Sequence, residues 1–284
     1  MKQLELTSQV SELWTRLDQV RSHRASNRPL ESVIAPFTAS LLLLRWADHI
    51  DTEQETVEAF DDHDSLPVLP WDQHWSSWCD LRGERLTDVL QREILPALNN
   101  APNSSLGYSL QRLVPVFDEL ACEPPELIEI LVQWTQAFNL DTVTDRQAAG
   151  DALATLVEKT TEQDAKIVGW FTTPRPIVEM MADLLDPSPG ERIYDPCFGT
   201  GGLLATVASR LHEKAMSMPP KVWTEVQQQS VFGVEIDPFA YSIGLARVVL
   251  AGIDYPGLEL GDALERPLAK HRFSEGFDCI MAVP

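Results

Sequence analysis

The chain has 284 residues, enough for two domains, and its 44% hydrophobic and 23% charged residues are typical of a folded protein. Its 43 acidic and 22 basic residues give a formal net charge of -21. A field of that sign repels phosphate and argues against nucleic-acid binding through the overall surface. A role on nucleic acid would therefore need a local basic patch, a basic partner subunit or a segment outside this sequence.

Cysteine usage and hydropathy predict a cytoplasmic, soluble protein. The four cysteines are scattered without a Cys-x-x-Cys pair, which argues against a disulfide framework or a zinc site, so we expect no metal ion. The N-terminal residues MKQLELTSQV do not resemble a signal peptide. The longest apolar stretch, Ile34 to Leu44, contains Pro36 and is expected to be too short to span a bilayer.

Glycine content and charge divide the sequence into two unlike parts. Residues 1–165 contain 28 acidic residues, 12 basic residues and three of the 14 glycines. Residues 166–284 contain 15 acidic residues, 10 basic residues and 11 glycines. We therefore predict a helical N-terminal domain over residues 1–165 and an α/β domain over residues 166–284.

Apolar residues in the first part recur every three or four positions, which predicts amphipathic helices. The pattern is formed by Leu6, Val10, Leu13, Leu17 and Val20, and again by Leu127, Ile130, Leu131 and Trp134 after the prolines Pro124 and Pro125. Trp71, Trp75 and Trp78 have the same spacing and are predicted to lie in the core rather than to form a stacking platform.

Two charged features of the first part have alternative interpretations. The acidic segment Asp51–Pro70 is predicted to be an exposed connector, with a docking surface for a basic partner as the alternative. Arg16, Arg21, Arg24 and Arg28 form a basic cluster, which we interpret as ordinary surface arginines, with phosphate contacts as the alternative.

The second part alternates between strand and helix patterns. Strands are predicted at 193–195, 231–236, 258–260 and 277–282, and helices at 201–211 and 238–251. The last strand, with the sequence FDCIMA, is a mostly apolar run and is predicted to be buried on both faces. This order indicates an open, mostly parallel sheet.

A glycine-rich segment, DPCFGTGG, lies where the first strand ends and the next helix begins. Glycines allow a sharp turn and a close approach to a ligand, and the N–H groups of a helix N-terminus suit a carboxylate. A plain tight turn is the alternative. A dinucleotide-binding fingerprint would need the spacing G-x-G-x-x-G, which this segment does not have.

Carboxylates follow the next two strands. Glu235, at the end of the second strand, is correctly placed to bind the hydroxyls of a ribose, although alone it could be an ordinary surface residue. Asp262, after the third strand, could accept a hydrogen bond from an adenine amino group or cap a helix.

The ordered motifs FTTPR, DPCFGTGGLL, GVEIDPFAYSIGLARVVLAGI and FDCIMAVP resemble the adenine-N6 DNA methyltransferases, in particular the modification subunit of type I restriction-modification systems. The resemblance covers residues 165–284. It implies an α helical N-terminal domain followed by a class I, Rossmann-like, S-adenosylmethionine-dependent methyltransferase domain, here truncated after its fourth strand.

The resemblance also implies an S-adenosylmethionine pocket. The segment Trp170, Phe171, Thr172, Thr173, Pro174 and Arg175 would lie over the methionine end of the cofactor. Gly199, Thr200, Gly201 and Gly202 would form the turn around its amino-acid portion, and Asp195 would hold this turn or the ligand ammonium. Glu235 would bind the ribose, Ile236 and Asp237 would flank the adenine ring, and Asp262 would bind its amino group.

The end of the sequence departs from the family pattern. In the family, the fourth strand is followed by Asn, Asp or Ser, then two prolines and an aromatic residue, which bind the target base. Here the polar catalytic position is Val283, and Pro284 is the last residue, so this motif is altered and incomplete. An apolar strand left at the sheet edge is an aggregation hazard, so we expect the chain to be a fragment of a longer protein.

The leading interpretation is the cofactor-binding part of a DNA adenine methyltransferase. DNA would be bound through a separate specificity subunit, in a homodimer or a hetero-oligomer, with no membrane association. A non-catalytic cofactor-binding or assembly subunit is one alternative, supported by Val283. A methyltransferase acting on RNA or protein is the other, although the segment FTTPRPIV counts against it.

Overall fold

The computed structural model describes residues 3–24, 28–58, 67, 69–101, 105–168, 172–265 and 276–283. Its chain divides into two compact units, Met1–Thr160 and Thr161–Pro284. Both this division and the boundary predicted between residues 165 and 166 fall inside one helix, Val143–Val168.

The regular secondary structure among the described residues of the first unit is helical. The helices are α1 (Gln3–Val20), α2 (Leu30–Glu58), α3 (Trp75–Trp78), α4 (Glu84–Val89), α5 (Leu95–Asn99), α6 (Ser105–Gln111), α7 (Val114–Leu120), α8 (Pro125–Gln136) and α9 (Val143–Val168). Short 3-10 helices cover Arg21–His23 and Trp71–Gln73, and a π-helical turn covers Leu90–Ile94. Helices α1 and α8 lie where the apolar spacing predicted them, and their apolar stripes are buried in the core.

Helix α2 corrects the expectation that its apolar stretch is too short to cross a bilayer. The segment Leu30–Thr52 has 23 residues and is long and apolar enough by length and composition. The prediction failed because the helix continues through Pro36 and includes apolar residues on both sides of the stretch. Since 89% of its apolar window is buried inside the protein, α2 has the environment of a core helix.

The prediction of an exposed connector over Asp51–Pro70 is wrong for its first residues. Residues 51–58 continue α2, and Asp51 is buried because its carboxylate pairs with the His74 ring at 3.3 Å and accepts a hydrogen bond from the Leu69 N–H. Residues 59–66 and 68, and with them most of the alternative docking surface, lie outside the described residues.

The tryptophan prediction is confirmed for two of its three residues. Trp75 and Trp78 are buried, and their rings meet edge to face with centroids 4.7 Å apart. The surroundings of the Trp71 side chain lie outside the described residues.

The prediction of surface arginines is confirmed for Arg21 and Arg28, whose side chains are 43% and 48% exposed, and is wrong for Arg24. The guanidinium of Arg24 is only 6% exposed and forms two hydrogen bonds, at 2.6 and 2.7 Å, with the buried carboxylate of Glu123. The others bond to groups of the same unit: Arg16 to Gln133, Arg21 to Asp18 and Glu31, and Arg28 to Glu119. These pairs give the cluster a structural role.

The second unit combines helices with a parallel sheet. Its elements are α10 (Arg175–Leu185), β1 (Ile193–Asp195), α11 (Gly202–Ala215), α12 (Pro220–Gln229), β2 (Val231–Glu235), α13 (Pro238–Leu250), β3 (Gly257–Leu260) and β4 (Cys279–Ile280). The described strands form one sheet in the order β3-β2-β1-β4, and every pair is parallel as predicted. Helices α10 and α12 were not predicted.

The two faces of the sheet are covered differently. A Cβ atom at Gly233 would lie 2.7 Å from Phe198 and 3.1 Å from Leu204 of α11, so glycine is needed where α11 packs closely. Neighbouring residues in a strand point to opposite faces. On the other face, Tyr194 and Phe232 pack against Phe277, whose ring stacks on Tyr194 with centroids 4.4 Å apart.

Strand β4 pairs with β1, as the sequence predicted, but it is not buried on both faces. It contains only Cys279 and Ile280, and Ile280 is 62% exposed, whereas the prediction covered residues 277–282. One face of the segment, with Phe277, Cys279 and Met281, is buried or half-buried, whereas the residues of the other face are exposed, namely Asp278, Ile280 and Ala282.

Candidate functional site

The sheet topology brings the predicted site residues to one edge. Strands β1, β2 and β3 are neighbours and parallel, so the segments that follow them leave the sheet at the same edge. Asp195 ends β1, Glu235 ends β2, and Asp262 follows β3. In open parallel sheets, ligands bind at this carboxyl edge.

The glycine-rich turn between β1 and α11 depends on two glycines in left-handed conformations. Gly199 has a φ of 55° and Gly201 has a φ of 72°. The Gly201 N–H donates to the Phe198 carbonyl at 2.8 Å, and Gly201 is the N-cap of α11. A Cβ atom at Gly201 would lie 2.5 Å from the Gly244 Cα, so α13 leaves no space for a side chain. The turn thus directs the first N–H groups of α11 toward the carboxyl edge.

The carboxylate of Glu235 holds this turn in place. One oxygen accepts a hydrogen bond from the Gly199 N–H at 2.9 Å, and the other accepts from the N–H groups of Ile236 and Asp237, also at 2.9 Å. A carboxylate can accept about four hydrogen bonds, so three backbone donors leave one position for a ligand hydroxyl.

Asp195 supplies a second, more deeply buried carboxylate. It is 3% exposed and accepts a hydrogen bond from the Cys197 N–H at 3.0 Å. Burial raises the pKa of Asp195 to about 6, and the nearby Glu235 charge adds to this shift, while hydrogen bonds from Cys197 oppose it. Two carboxylates so close together favour a cationic ligand.

Cys197 connects the turn to the predicted catalytic position. Burial, followed by the charges of Asp195 and Glu235, raises the pKa of its thiol. The backbone N–H of Val283 hydrogen-bonds the sulfur and moves that pKa in the opposite direction. Val283 therefore lies beside the turn, and its side chain is 43% exposed.

The residues predicted to surround an adenine ring have distinct local roles. Ile236 is 66% exposed. Asp237 caps α13 by accepting hydrogen bonds from the N–H groups of Phe239 and Ala240 at 2.9 and 2.7 Å. Asp262 accepts from the Leu264 N–H at 2.8 Å and so stabilises a turn rather than a helix.

Several predicted site residues are not placed by the structure. Trp170, Phe171 and Pro284 lie outside the described residues. Thr172 and Thr173 are half-buried and lead into Pro174, the N-cap of α10. The position of this segment over a ligand stays a prediction.

The sequence interpretation missed the contribution of α13 to the turn. Gly244 packs against Gly201, and the Arg247 guanidinium donates to the Thr200 carbonyl at 3.1 Å. A glycine and an arginine three residues apart lie on one helix face, so the sequence GLAR contained this signal.

The carboxyl edge of the sheet has groups that suit a nucleoside with one positive and one negative charge. Oriented N–H groups at the start of a 14-residue helix suit a carboxylate, and the Asp195 and Glu235 pair suits a cation. The remaining Glu235 acceptor suits a ribose hydroxyl, and the exposed Ile236 offers an apolar surface to a flat ring.

Known proteins have sequences similar to that of this chain. Residues 144–284 match the family model described as N-6 DNA Methylase. The chain is 25% identical over 244 residues to the methylase subunit of the type I restriction enzyme EcoEI of Escherichia coli, an alignment that covers 82% of this chain and 48% of that subunit. It is 36% identical over 201 residues to the EcoKI methylase subunit of E. coli K12, an alignment that covers 69% of this chain and 33% of that subunit. The chain thus spans about half or less of these relatives' length.

Solved structures share the fold. The modification subunit of a type I restriction enzyme from Vibrio vulnificus YJ016 matches with a TM-score of 0.73 at 17% identity, over 97% of this chain and 60% of the other. A chain from a study of assembly and conformational transition of a type I R-M system matches with a TM-score of 0.72 at 22% identity, over 97% and 54%. With the sequence matches, the chain belongs to the N-6 DNA methylase family, and it is similar to the methylase subunits of type I restriction-modification systems.

Proposed function

We propose that this chain supplies the S-adenosylmethionine-binding part of a methyltransferase that modifies the N6 atom of adenine in DNA. The observation that carries the proposal is the glycine turn at the N-terminus of α11, anchored by Glu235 at the carboxyl edge of the sheet. The family match over residues 144–284 supports the same reaction.

Each of the site residues would bind a different part of S-adenosylmethionine. The first N–H groups of α11 would bind the methionine carboxylate, and the buried Asp195 would attract the ammonium and the sulfonium. The fourth acceptor position of Glu235 would bind a ribose hydroxyl. Ile236 would pack on the adenine ring, and the carboxylate of Asp262 would accept from its amino group.

The chain's part in the reaction is orientation. S-adenosylmethionine, when bound, supplies an activated methyl group. A strong base is not needed for transfer to an exocyclic amine, but the methyl carbon and the amine nitrogen must be aligned. The rigid turn between β1 and α11 is held by Glu235 and α13. It would fix the position of the methyl carbon.

Val283 favours a second candidate function, that of a non-catalytic cofactor-binding subunit. Its backbone lies beside Cys197, close to the Asp195 carboxylate, but its side chain has no hydrogen-bond acceptor for a target amine. In this second function the site would bind S-adenosylmethionine for assembly or regulation without methyl transfer.

We propose that DNA is reached through a separate specificity subunit in the cytoplasm. The net charge of -21 disfavours direct binding of phosphate, and the basic cluster around Arg24 is occupied by carboxylates of its own unit. A basic partner would then provide the DNA-binding surface of a hetero-oligomer.

Calorimetric titration with S-adenosylmethionine tests the binding part of the proposal. We expect Glu235→Gln to weaken binding by about tenfold to a hundredfold, because it removes the charged acceptor and introduces a donor opposite backbone N–H groups. Glu225→Gln is the matched control, since Glu225 lies on α12 and pairs with Lys221. If the wild-type chain does not bind the cofactor, the proposal is wrong.

Transfer of labelled methyl groups to unmodified DNA separates the two candidate functions. The chain alone should give no transfer, because its net charge of -21 repels the phosphates of DNA. The protein encoded by the whole gene, assembled with its specificity subunit, should methylate adenine. Cofactor binding without methylation by that assembly would favour the non-catalytic function.

A further inference from the structure

The proposed function assigns no ligand contact to the cation that touches the glycine turn from α13. Arg247 projects from α13, and one of its guanidinium N–H groups donates to the carbonyl oxygen of Thr200 at 3.1 Å. Thr200 is the residue between the two left-handed glycines and is itself buried. The arginine therefore contacts the turn at its centre.

The peptide bond between Thr200 and Gly201 is held at both ends. Its carbonyl oxygen accepts from Arg247, and its N–H donates to the Phe198 carbonyl at 2.8 Å. Because a peptide group is planar, two hydrogen bonds at opposite ends fix its orientation. Without Arg247 only the N–H end would remain held.

The same helix face also limits the next residue. A Cβ atom at Gly202 would lie 3.4 and 3.5 Å from the two terminal nitrogens of Arg247, so the guanidinium packs against the start of α11. Gly244, one turn earlier on α13, packs directly against Gly201. Helix α13 thus contacts three consecutive residues of the turn, from Thr200 to Gly202.

We propose that Arg247 is a positioning residue that makes the site selective for a ligand with a carboxylate. The inference rests on the proposed function, in which the first N–H groups of α11 bind the methionine carboxylate. Their direction follows from the peptide that Arg247 holds.

Two ligands that differ only in the carboxylate test this role. The full chain is titrated with S-adenosylmethionine and with decarboxylated S-adenosylmethionine, as the wild type and as Arg247→Met. We expect the variant to bind S-adenosylmethionine at least about tenfold more weakly, while its affinity for the decarboxylated ligand changes less than about threefold. A purely structural role would weaken both ligands equally.

Two further variants keep the outcome interpretable. Arg247→Lys retains the charge and a donor and should recover part of the lost selectivity. Arg210→Met is the matched control, because Arg210 also donates to a backbone carbonyl, that of Glu179 at 3.2 Å, but from the side of α11 that contacts α10. Melting temperatures establish that each variant folds.

The possible failures can be told apart. If the wild type binds neither ligand, the proposed function fails before the role of Arg247 is reached. If the wild type binds both ligands and Arg247→Met weakens them by the same factor, or weakens neither, the positioning role is overturned.

Discussion

The carboxylate of Glu235 accepts a hydrogen bond at 2.9 Å from the backbone N–H of Gly199, which joins the end of β2 to the turn after β1. A side chain predicted to bind a ligand is therefore also a structural anchor of the site. Changes at Glu235 should act on ligand contact and on turn geometry together, so the turn itself needs to be tested through other residues.

The first prediction compares two glycines of the turn. We expect Gly201→Ala to lower the free energy of unfolding by about 2–4 kcal/mol, because the left-handed φ costs about 1–2 kcal/mol and the new Cβ would meet the backbone of Gly244. Gly199→Ala should cost only about 1–2 kcal/mol, since open space surrounds its Cβ position. Urea denaturation of both variants measures the difference.

We also expect Gly201→Ala to weaken cofactor binding more than Gly199→Ala does. Movement of α13 away from the turn would disturb the start of α11, whereas strain at Gly199 leaves that packing intact. Equal destabilisation by the two alanines would contradict the close approach of Gly201 to Gly244.

The second prediction concerns pH. Because burial raises the pKa of Asp195 from its usual 3.8 to about 6, the folded chain retains a proton that the unfolded chain has lost between about pH 4 and pH 6. The contribution of this residue to stability therefore falls as the pH rises through that window and is level above it. The shift corresponds to at most about 3 kcal/mol.

The variant Asp195→Asn isolates this effect. Its amide oxygen can still accept from the Cys197 N–H, and it has no charge to bury. We expect the free energy of unfolding of the variant, relative to that of the wild type, to be higher at pH 7.5 than at pH 4.5. The variant should also bind S-adenosylmethionine more weakly than the wild type does. Urea denaturation at both pH values provides the test, and a stability difference that does not vary with pH would contradict it.

The third prediction concerns the buried ion pair of the first unit. Arg24→Ala should lower the free energy of unfolding by about 3–5 kcal/mol, because it leaves the carboxylate of Glu123 buried without its partner. Replacing both residues with apolar side chains should cost less than the single change. The exposed pair Arg92 and Asp88 is the control, where removal should cost under about 1 kcal/mol. Additive costs at Arg24 and Glu123 would show that the pair is not coupled.

Sequence patterns predicted elements whose signals are local. The strand at Ile193–Asp195, the glycine turn and the helix begun by Pro238 follow from apolar runs, glycine spacing and a proline at a helix start. The parallel order of the sheet followed from the alternation of strands and helices.

Features that depend on distant partners could not be predicted. Asp51 was expected to be exposed because it begins an acidic run, but its burial depends on His74, 23 positions away in the sequence. Arg24 was expected at the surface, and its partner Glu123 lies 99 positions away. The exposure of Ile280 depends on what packs against its face of β4, which an apolar run does not specify.

The fourth prediction concerns Val283, which has no acceptor at the position where the family pattern has Asn, Asp or Ser. Its backbone lies beside Cys197, so an asparagine side chain at residue 283 would start close to the cofactor turn. We expect Val283→Asn, in the longest form of the protein that its gene encodes, to increase adenine methylation. The control is Val283→Leu, which changes shape without adding an acceptor.

An amide oxygen that accepts from the target amine should stabilise the transition state by about 0.5–1.5 kcal/mol as an ordinary hydrogen bond, and by about 3–4 kcal/mol in a dry, preorganised site. At about 1.4 kcal/mol per factor of ten, the single-turnover rate should rise by several-fold to several hundred-fold. Equal activity of the wild type and Val283→Asn would mean that another group, such as a backbone carbonyl at the end of β4, accepts the hydrogen bond. Inactivity of both proteins, with S-adenosylmethionine still bound, would instead support the non-catalytic function.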